Sequence, residues 1–290
     1  MSEGGPTGPA FCRALSELAD RWLASLLGAE EDVALVAVGG YGRQELCPGS
    51  DLDVVLVHRG RKDVREVAER LWYPIWDAGV GLDHSVRTVK EALRVAGDDL
   101  KAALGLLDAR LVAGSAALAA ELTERATEQW RKRSHRWLAA LGEAVEARHA
   151  EFGEVAFLLE PELKEGRGGL RDVHALWAAA VASPVVDVGD EAVASAHQTL
   201  LGVRTELHRA TGKTLDRLLL QEQDAVAAAL GHPDADALMA AVAAAARTIA
   251  WSSDDGWRRI RSALAGPRGR TSGRDHPLGP GLLLREDEVV

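Results

Sequence analysis

Cysteine is nearly missing from this 290-residue chain. Cys12 and Cys47 are too few for a disulfide framework, so a reducing, cytoplasmic setting is the expectation. Long hydrophobic runs are missing too. The Ala-dominated stretches 225–230 and 238–246 fall well short of the roughly 18–20 residues of a membrane span, and no membrane association is expected. The N-terminus has no basic-then-apolar signal pattern. An excess of basic charge is absent: the net charge is −10, which argues against a nucleic-acid partner. Lysine is rare, with 6 against 28 arginines, a bias read as GC-rich coding. Aromatics are scarce and skewed, 8 Trp against 2 Tyr and 3 Phe, and are expected to fill helical cores. What remains is 47% hydrophobic and only 27% charged, so a disordered chain is excluded. At this length folding buries roughly 75% of the unfolded surface, enough for a core without metal or disulfide staples.

Hydrophobic spacing divides the chain. Residues 1–9 read as a disordered arm, and 11–27 as a helix stopped by Gly28. A buried strand is expected over 33–38, a loop over 41–50, and a second strand over 51–58. In that second strand Leu52, Val54 and Leu56 face one way, and Asp51, Asp53, Val55 and Val57 the other. Helical spacing returns over 63–78, with Trp72 and Trp76 as a core stripe, and a third strand follows over 81–89. From 91 to about 148 the pattern is helical, broken near 97–99 and 114–115. A Gly-rich insert over 159–170 precedes helices over 171–182, 191–210, about 214–230 and 235–264. The stretch 266–281 has linker composition. The fold class expected is α+β: a small sheet with helices, followed by a helical domain. The boundaries are an N-terminal arm and helix (1–32), a core (33–115), a helical domain (116–265), and a linker with the start of a further domain (266–290).

The chemistry concentrates between Val36 and Val57. A strand feeds Gly39-Gly40, then a short loop, then a strand opening with Asp51-x-Asp53. Two carboxylates two apart on a strand share a face, with Cα atoms roughly 6.6 Å apart. They repel unless a cation lies between them, and hard divalent ions are the usual answer. Gly39 and Gly40 let backbone N–H groups approach an anion. Each feature alone is common: Asp-x-Asp is often solvated charge, and Gly-Gly is usually a turn. Together and in this order they fit metal-assisted nucleotidyl transfer. By contrast, Thr211-Gly212-Lys213-Thr214 only imitates the end of a P-loop, since Leu207 stands where that motif needs glycine. The nine histidines show no metal-ligand spacing.

The segment G-G-x-G-R-x-E-L-x-P-x-S-D-x-D resembles the motif of the bacterial PII uridylyltransferases, within the polymerase-β-like superfamily. His84–Thr88 (H-S-V-R-T) and the run from Leu159 to His174 (L-E-P-E-L-K … G-G-L-R-D-V-H) are similar to two further segments of that family. The resemblance implies a polymerase-β-like sheet and transfer of a nucleoside monophosphate from a triphosphate to a tyrosine hydroxyl of the PII nitrogen-regulatory protein, releasing pyrophosphate. UMP is the family default, and AMP the alternative suggested by a high-GC composition. Asp51 and Asp53 would bind Mg²⁺, with two ions expected. Gly39, Gly40 and Ser50 would hold the UTP or ATP, and Arg43 the departing pyrophosphate. Where the family has glycine before H-S-V-R-T this chain has Asp83, expected as the third metal ligand or as the base. Lys164, Gly168, Gly169, Arg171 and Asp172 are expected to face the nucleotide, on a loop leading into a helix N-terminus.

Family members continue into a metal-dependent hydrolase and glutamine-sensing domains. This chain has no His-Asp dipeptide, so transfer without removal is expected. Two other readings stand: an enzyme like the glutamine synthetase adenylyltransferases, disfavoured by H-S-V-R-T, and a non-catalytic nucleotide-binding module, disfavoured by the intact Asp51, Asp53, Gly39 and Gly40.

Overall fold

A computed structural model describes residues 5–30, 32–186 and 189–269, and the backbone of three short strands beyond them; for 266–269 too, only the backbone is described. The N-terminal helix α1 (Gly8–Leu27) begins earlier than expected, and Gly28 ends it, donating its N–H to the Ala24 carbonyl. Within the anticipated arm, residues 1–4 lie outside the described residues.

The sheet is mixed and four-stranded, in the order β3 (Leu82–Thr88), β2 (Leu52–His58), β1 (Val33–Ala37), β4 (Arg110–Gly114). β2 and β3 run parallel; β1 is antiparallel to both its neighbours. β4 corrects the expectation of three strands, because Arg-Leu-Val-Ala-Gly lies inside a stretch whose spacing reads as helix. The parallel crossover from β2 to β3 is made by α3 (Val64–Asp77). The alternation along β2 holds, and both faces are covered. Leu52, Val54 and Leu56 pack with Leu71 and Ile75 of α3 and Leu23 and Leu27 of α1. Val55 and Val57 face α4 (Val89–Ala96), α5 (Leu100–Leu107) and α6 (Ala116–Lys132). Each such buried aliphatic side chain contributes roughly 1.5–3 kcal/mol. Trp72 belongs to this core, but Trp76 is 47% exposed and so leaves the expected stripe.

The helical part comprises α7 (Ser134–Phe152), α8 (Leu170–Ala182), α9 (Glu191–Thr211), α10 (Leu220–Leu230) and α11 (Ala235–Gly269). One hydrophobic cluster runs unbroken from Val36 and Val57 through Trp130 and Trp137 to Ala179 and Trp257. A second, around Leu163, Leu200, Leu207 and Val242, also takes in Cys12 and Cys47. Gly212 is the left-handed cap of α9, which accounts for the glycine of the P-loop-like tetrapeptide. The helix expected from about 214 starts only at Leu220. Before it the chain is extended: Leu163 donates its N–H to the Asp216 carbonyl (2.8 Å), and Leu218 donates to Pro161 (2.9 Å).

α11 extends to Gly269, past the expected end at 264. In the linker-like stretch, 270–275 and 280–281 lie outside the described residues, while β5 (His276–Gly279), β6 (Leu282–Arg285) and β7 (Glu288–Val289) pair as a small antiparallel sheet. No helix among the described residues is long and apolar enough to cross a membrane.

Candidate active site

The Gly-Gly segment forms a single helical turn, α2 (Gly39–Gly42), at the end of β1, where the sequence suggests only a loop. Its position is fixed from below. Tyr41 is fully buried and donates its hydroxyl proton to Asp20 of α1 (2.6 Å). Arg110, the first residue of β4, bonds the same Asp20 and donates to the carbonyls of Gly42 (3.2 Å) and Tyr41 (3.3 Å). The strand that sequence spacing missed therefore clasps the glycine turn. The first N–H groups of such a turn lack acceptors within the helix.

Three aspartates gather beside this turn. Asp53 on β2 and Asp83 on β3 are register partners, so both side chains leave the sheet on one side. Asp51 lies just before β2, and its carboxylate sits against Gly81, where any Cβ would overlap it. A Cβ on Gly39 would lie 3.3 Å from Asp53 Oδ2, so the glycine turn reaches the carboxylate closely. Burial pushes the Asp53 carboxyl above its ordinary pKa, and the charges of Asp83 and Asp51 add to the shift, partly relieved by Lys101. Lys101 Nζ lies 4.0 Å from Asp83 Oδ2, an exposed contact.

These residues open on a cleft of about 1280 Å³, above the usual 300–1,000 Å³ range of ligand pockets. Its wall holds Gly39, Gly40, Arg43, Ser50, Asp51, Asp53 and Asp83 from the first half, and Lys164 and Arg171 from the second. Of the expected site residues, Gly168, Gly169 and Asp172 do not reach it. Gly168 is pressed against the Ala246 backbone, where a Cβ would overlap a carbonyl. Asp172 is fully buried and accepts from Arg148 (2.5 Å) and the Gly168 N–H (2.7 Å), with His149 Nε2 at 2.8 Å. Burial alone would raise its pKa, but the His149 and Arg148 contacts outweigh it and hold the carboxyl below the usual range. This segment secures the loop from inside. Arg167, on the same loop, is engaged by Glu154 and Asp254.

Most cations of the cleft are already held. Arg43 is gripped by Asp108 and by Glu45 (2.8 Å). Lys164 (3.4 Å) and Arg204 (2.6 Å) share Asp216, whose carboxyl lies below the ordinary range because His208, Arg204 and Lys164 outweigh burial. Arg171 leans on Glu165 (3.3 Å). Arg87, also in the wall, makes no ion pair among the described residues. Glu45, Lys101, Asp108, Arg148, Arg204 and Asp216 were not legible as site residues; the Arg43-x-Glu45 spacing was the one available hint.

Comparison with known proteins adds a further finding. The family model described as GlnD PII-uridylyltransferase matches residues 136–191 and 189–254, the helical part of the chain. The whole chain is 48% identical to a bifunctional uridylyltransferase/uridylyl-removing enzyme of Streptomyces coelicolor, of which it covers 37%. Proteins of the same description from Mycobacterium tuberculosis (44% identity over 89% of the chain, 33% of that protein) and Corynebacterium glutamicum (40% over 81%, 32% of that protein) are also similar. The chain thus spans about a third of the length of these relatives.

Proposed function

Since this chain belongs to the PII-uridylyltransferase family, we propose that it transfers UMP, with AMP as the variant, from a nucleoside triphosphate to a tyrosine hydroxyl of a PII protein, releasing pyrophosphate. The observation carrying this reading is the trio Asp51, Asp53 and Asp83 at the rim of a cleft large enough for a triphosphate and an acceptor side chain. Like-charge crowding at Asp53 is the electrostatic condition that a divalent cation relieves, so the donor set fits Mg²⁺, with all-oxygen ligands. When bound, Mg²⁺ neutralises charge on the triphosphate and polarises the phosphoryl group under attack.

The residues take roles accordingly. Asp51 and Asp53 hold the ions, and Asp83, opposite Asp53, is the third ligand or receives the acceptor's proton. Backbone N–H groups at Gly39 and Gly40, with the Ser50 turn, receive the phosphates. Arg43 is kept rigid by two carboxylates, and with Arg87, Lys164 and Arg171 it faces charge developing on the pyrophosphate. In the transfer, the tyrosine oxygen bonds to the α-phosphorus as the bond to the bridging oxygen of pyrophosphate breaks. The phenolic pKa is about 10, so its proton must be removed or its oxygen polarised near neutral pH. Under this reading 33–115 supplies metal and phosphate chemistry, and 116–265 closes the cleft with Lys164 and Arg171. Gly168, Gly169 and Asp172 act one layer back, by fixing the loop that carries Lys164 and the start of α8.

The test is to incubate the chain with Mg²⁺, a purified PII protein and UTP or ATP separately, then weigh the PII protein. A gain of one UMP or one AMP identifies the base. No gain with either nucleotide would favour a nucleotide-binding module or another acceptor.

A further inference from the structure

Beside Arg43, three side chains from three elements converge. Glu45 comes from the loop after α2, His174 from the second turn of α8, and His197 from α9. His174 Nε2 lies 3.2 Å from Glu45 Oε2, and His197 Nε2 lies 3.3 Å from Glu45 Oε1. One donor atom from each residue falls within 4.8 Å of the others, the only such group of three among the described residues.

Two observations separate this cluster from an ordinary buried ion pair. First, the histidine nitrogens are close to the carboxylate but not aimed at it. Both nitrogens of His174 and Nε2 of His197 are enclosed, and none makes a well-aligned hydrogen bond, although both Nε2 atoms lie within ion-pair distance of Glu45. A buried polar atom without a partner is costly, and two of these, Nε2 of His174 and Nε2 of His197, lie beside the same carboxylate, which marks a place where a ligand belongs. Second, the spacing suits a metal. Zinc bonds of about 2.0–2.1 Å set the edge of a tetrahedron at about 3.3 Å, which the His197 Nε2–Glu45 Oε1 contact matches, and the donor atom of His174 lies within 4.8 Å of the others. The rings are also held: Trp177 packs on His197 (4.9 Å between centroids) and on His174 (5.5 Å), and His197 is only 6% exposed.

We propose that Glu45, His174 and His197 form a binding site for a zinc-class divalent ion that clips the loop following the glycine turn to α8 and α9. Two imidazoles and one carboxylate select a borderline metal, unlike the all-oxygen aspartate cleft, so the two sites discriminate by ligand chemistry. Arg43 donates to Glu45 Oε2 and thereby fixes the carboxylate from outside, leaving Oε1 toward the ion. Three protein ligands leave a fourth position, filled by water. This reading does not require the proposed nucleotide transfer, although Glu45 also holds Arg43, and its readout is metal content, so either reading can fail alone.

The chain, stripped with a chelator and dialysed, is titrated with Zn²⁺ and, as a visible probe, Co²⁺. One equivalent of bound metal is expected, with the intense d–d absorption of tetrahedral Co²⁺. His197→Gln, checked for folding by circular dichroism, should weaken Co²⁺ at least about 100-fold, while Asp53→Asn keeps full stoichiometry. Absence of stoichiometric binding to the wild-type chain would mean that water alone fills the cluster, and would overturn the proposal. Equal binding by His197→Gln would overturn it as well, by placing the metal elsewhere.

Discussion

Asp53, half-buried, and Asp172, fully buried, stand in two motifs of the same chain, yet their surroundings are opposite. Asp53 sits beside Asp83 and Asp51 with its carboxyl pushed up; Asp172 is clasped by Arg148, His149 and the Gly168 N–H with its carboxyl pulled down. An aspartate whose partners are already in place has a structural task. One surrounded by like charge beside an open cleft is waiting for a cation. Motif membership does not distinguish them; the partners do.

The sharpest way to break this contrast is to neutralise each in turn. Asp53→Asn should lower the single-turnover transfer rate by on the order of a thousandfold or more, with the fold intact. Asp172→Asn should instead cost about 3 kcal/mol of stability by stranding Arg148 and His149, seen in denaturant melts. The next effect concerns Asp51. Gly81→Ala should cut transfer by on the order of a hundredfold, because the added methyl displaces that carboxylate by about an ångström.

The two aspartates should also respond oppositely to pH. Asp53 has a raised pKa, so its favourable contribution is present below the unfolded value of about 3.9 and lost as pH rises through the folded value. At neutral pH Asp53→Asn should therefore raise Tm by about 1–3 °C, and Mg²⁺ should stabilise the wild type but not the variant. Asp172 has a lowered pKa, so its contribution is present above about 3.9 and lost as pH falls through the folded value. Asp172→Asn should accordingly flatten the acid limb of the stability curve. The smallest effect is expected at Arg87, the cleft cation without an ion pair among the described residues. Arg87→Ala should raise the KM for the triphosphate about tenfold, the size of one charged hydrogen bond, and leave Tm unchanged.

The same contrast explains what was legible in the sequence. Gly39, Gly40, Asp51 and Asp53 are close along the chain, and strand periodicity alone gives the shared side of the carboxylates. Asp83 follows once β3 is recognised, though its register with Asp53 does not. The motif around Gly168 and Asp172 announced that these residue types are needed without saying against what; Ala246 and Arg148 are far along the chain. β4 was hidden because five residues with one glycine do not interrupt a helical pattern convincingly, yet its Arg110 seats the glycine turn. Glu45 and His174 each fall within a motif, but no spacing relates them to each other or to His197, since only the packing of α8 and α9 on the loop brings the three together.

The central claim is that the aspartate cleft performs the transfer and the Gly168–Asp172 segment supports it. Single-turnover labelling of a PII protein by Asp53→Asn and Asp172→Asn, at a temperature where both are folded, tests it most directly. The account predicts that Asp172→Asn stays within about tenfold of the wild type while Asp53→Asn yields no detectable product. Comparable activity in both variants, or loss confined to Asp172→Asn, would contradict it.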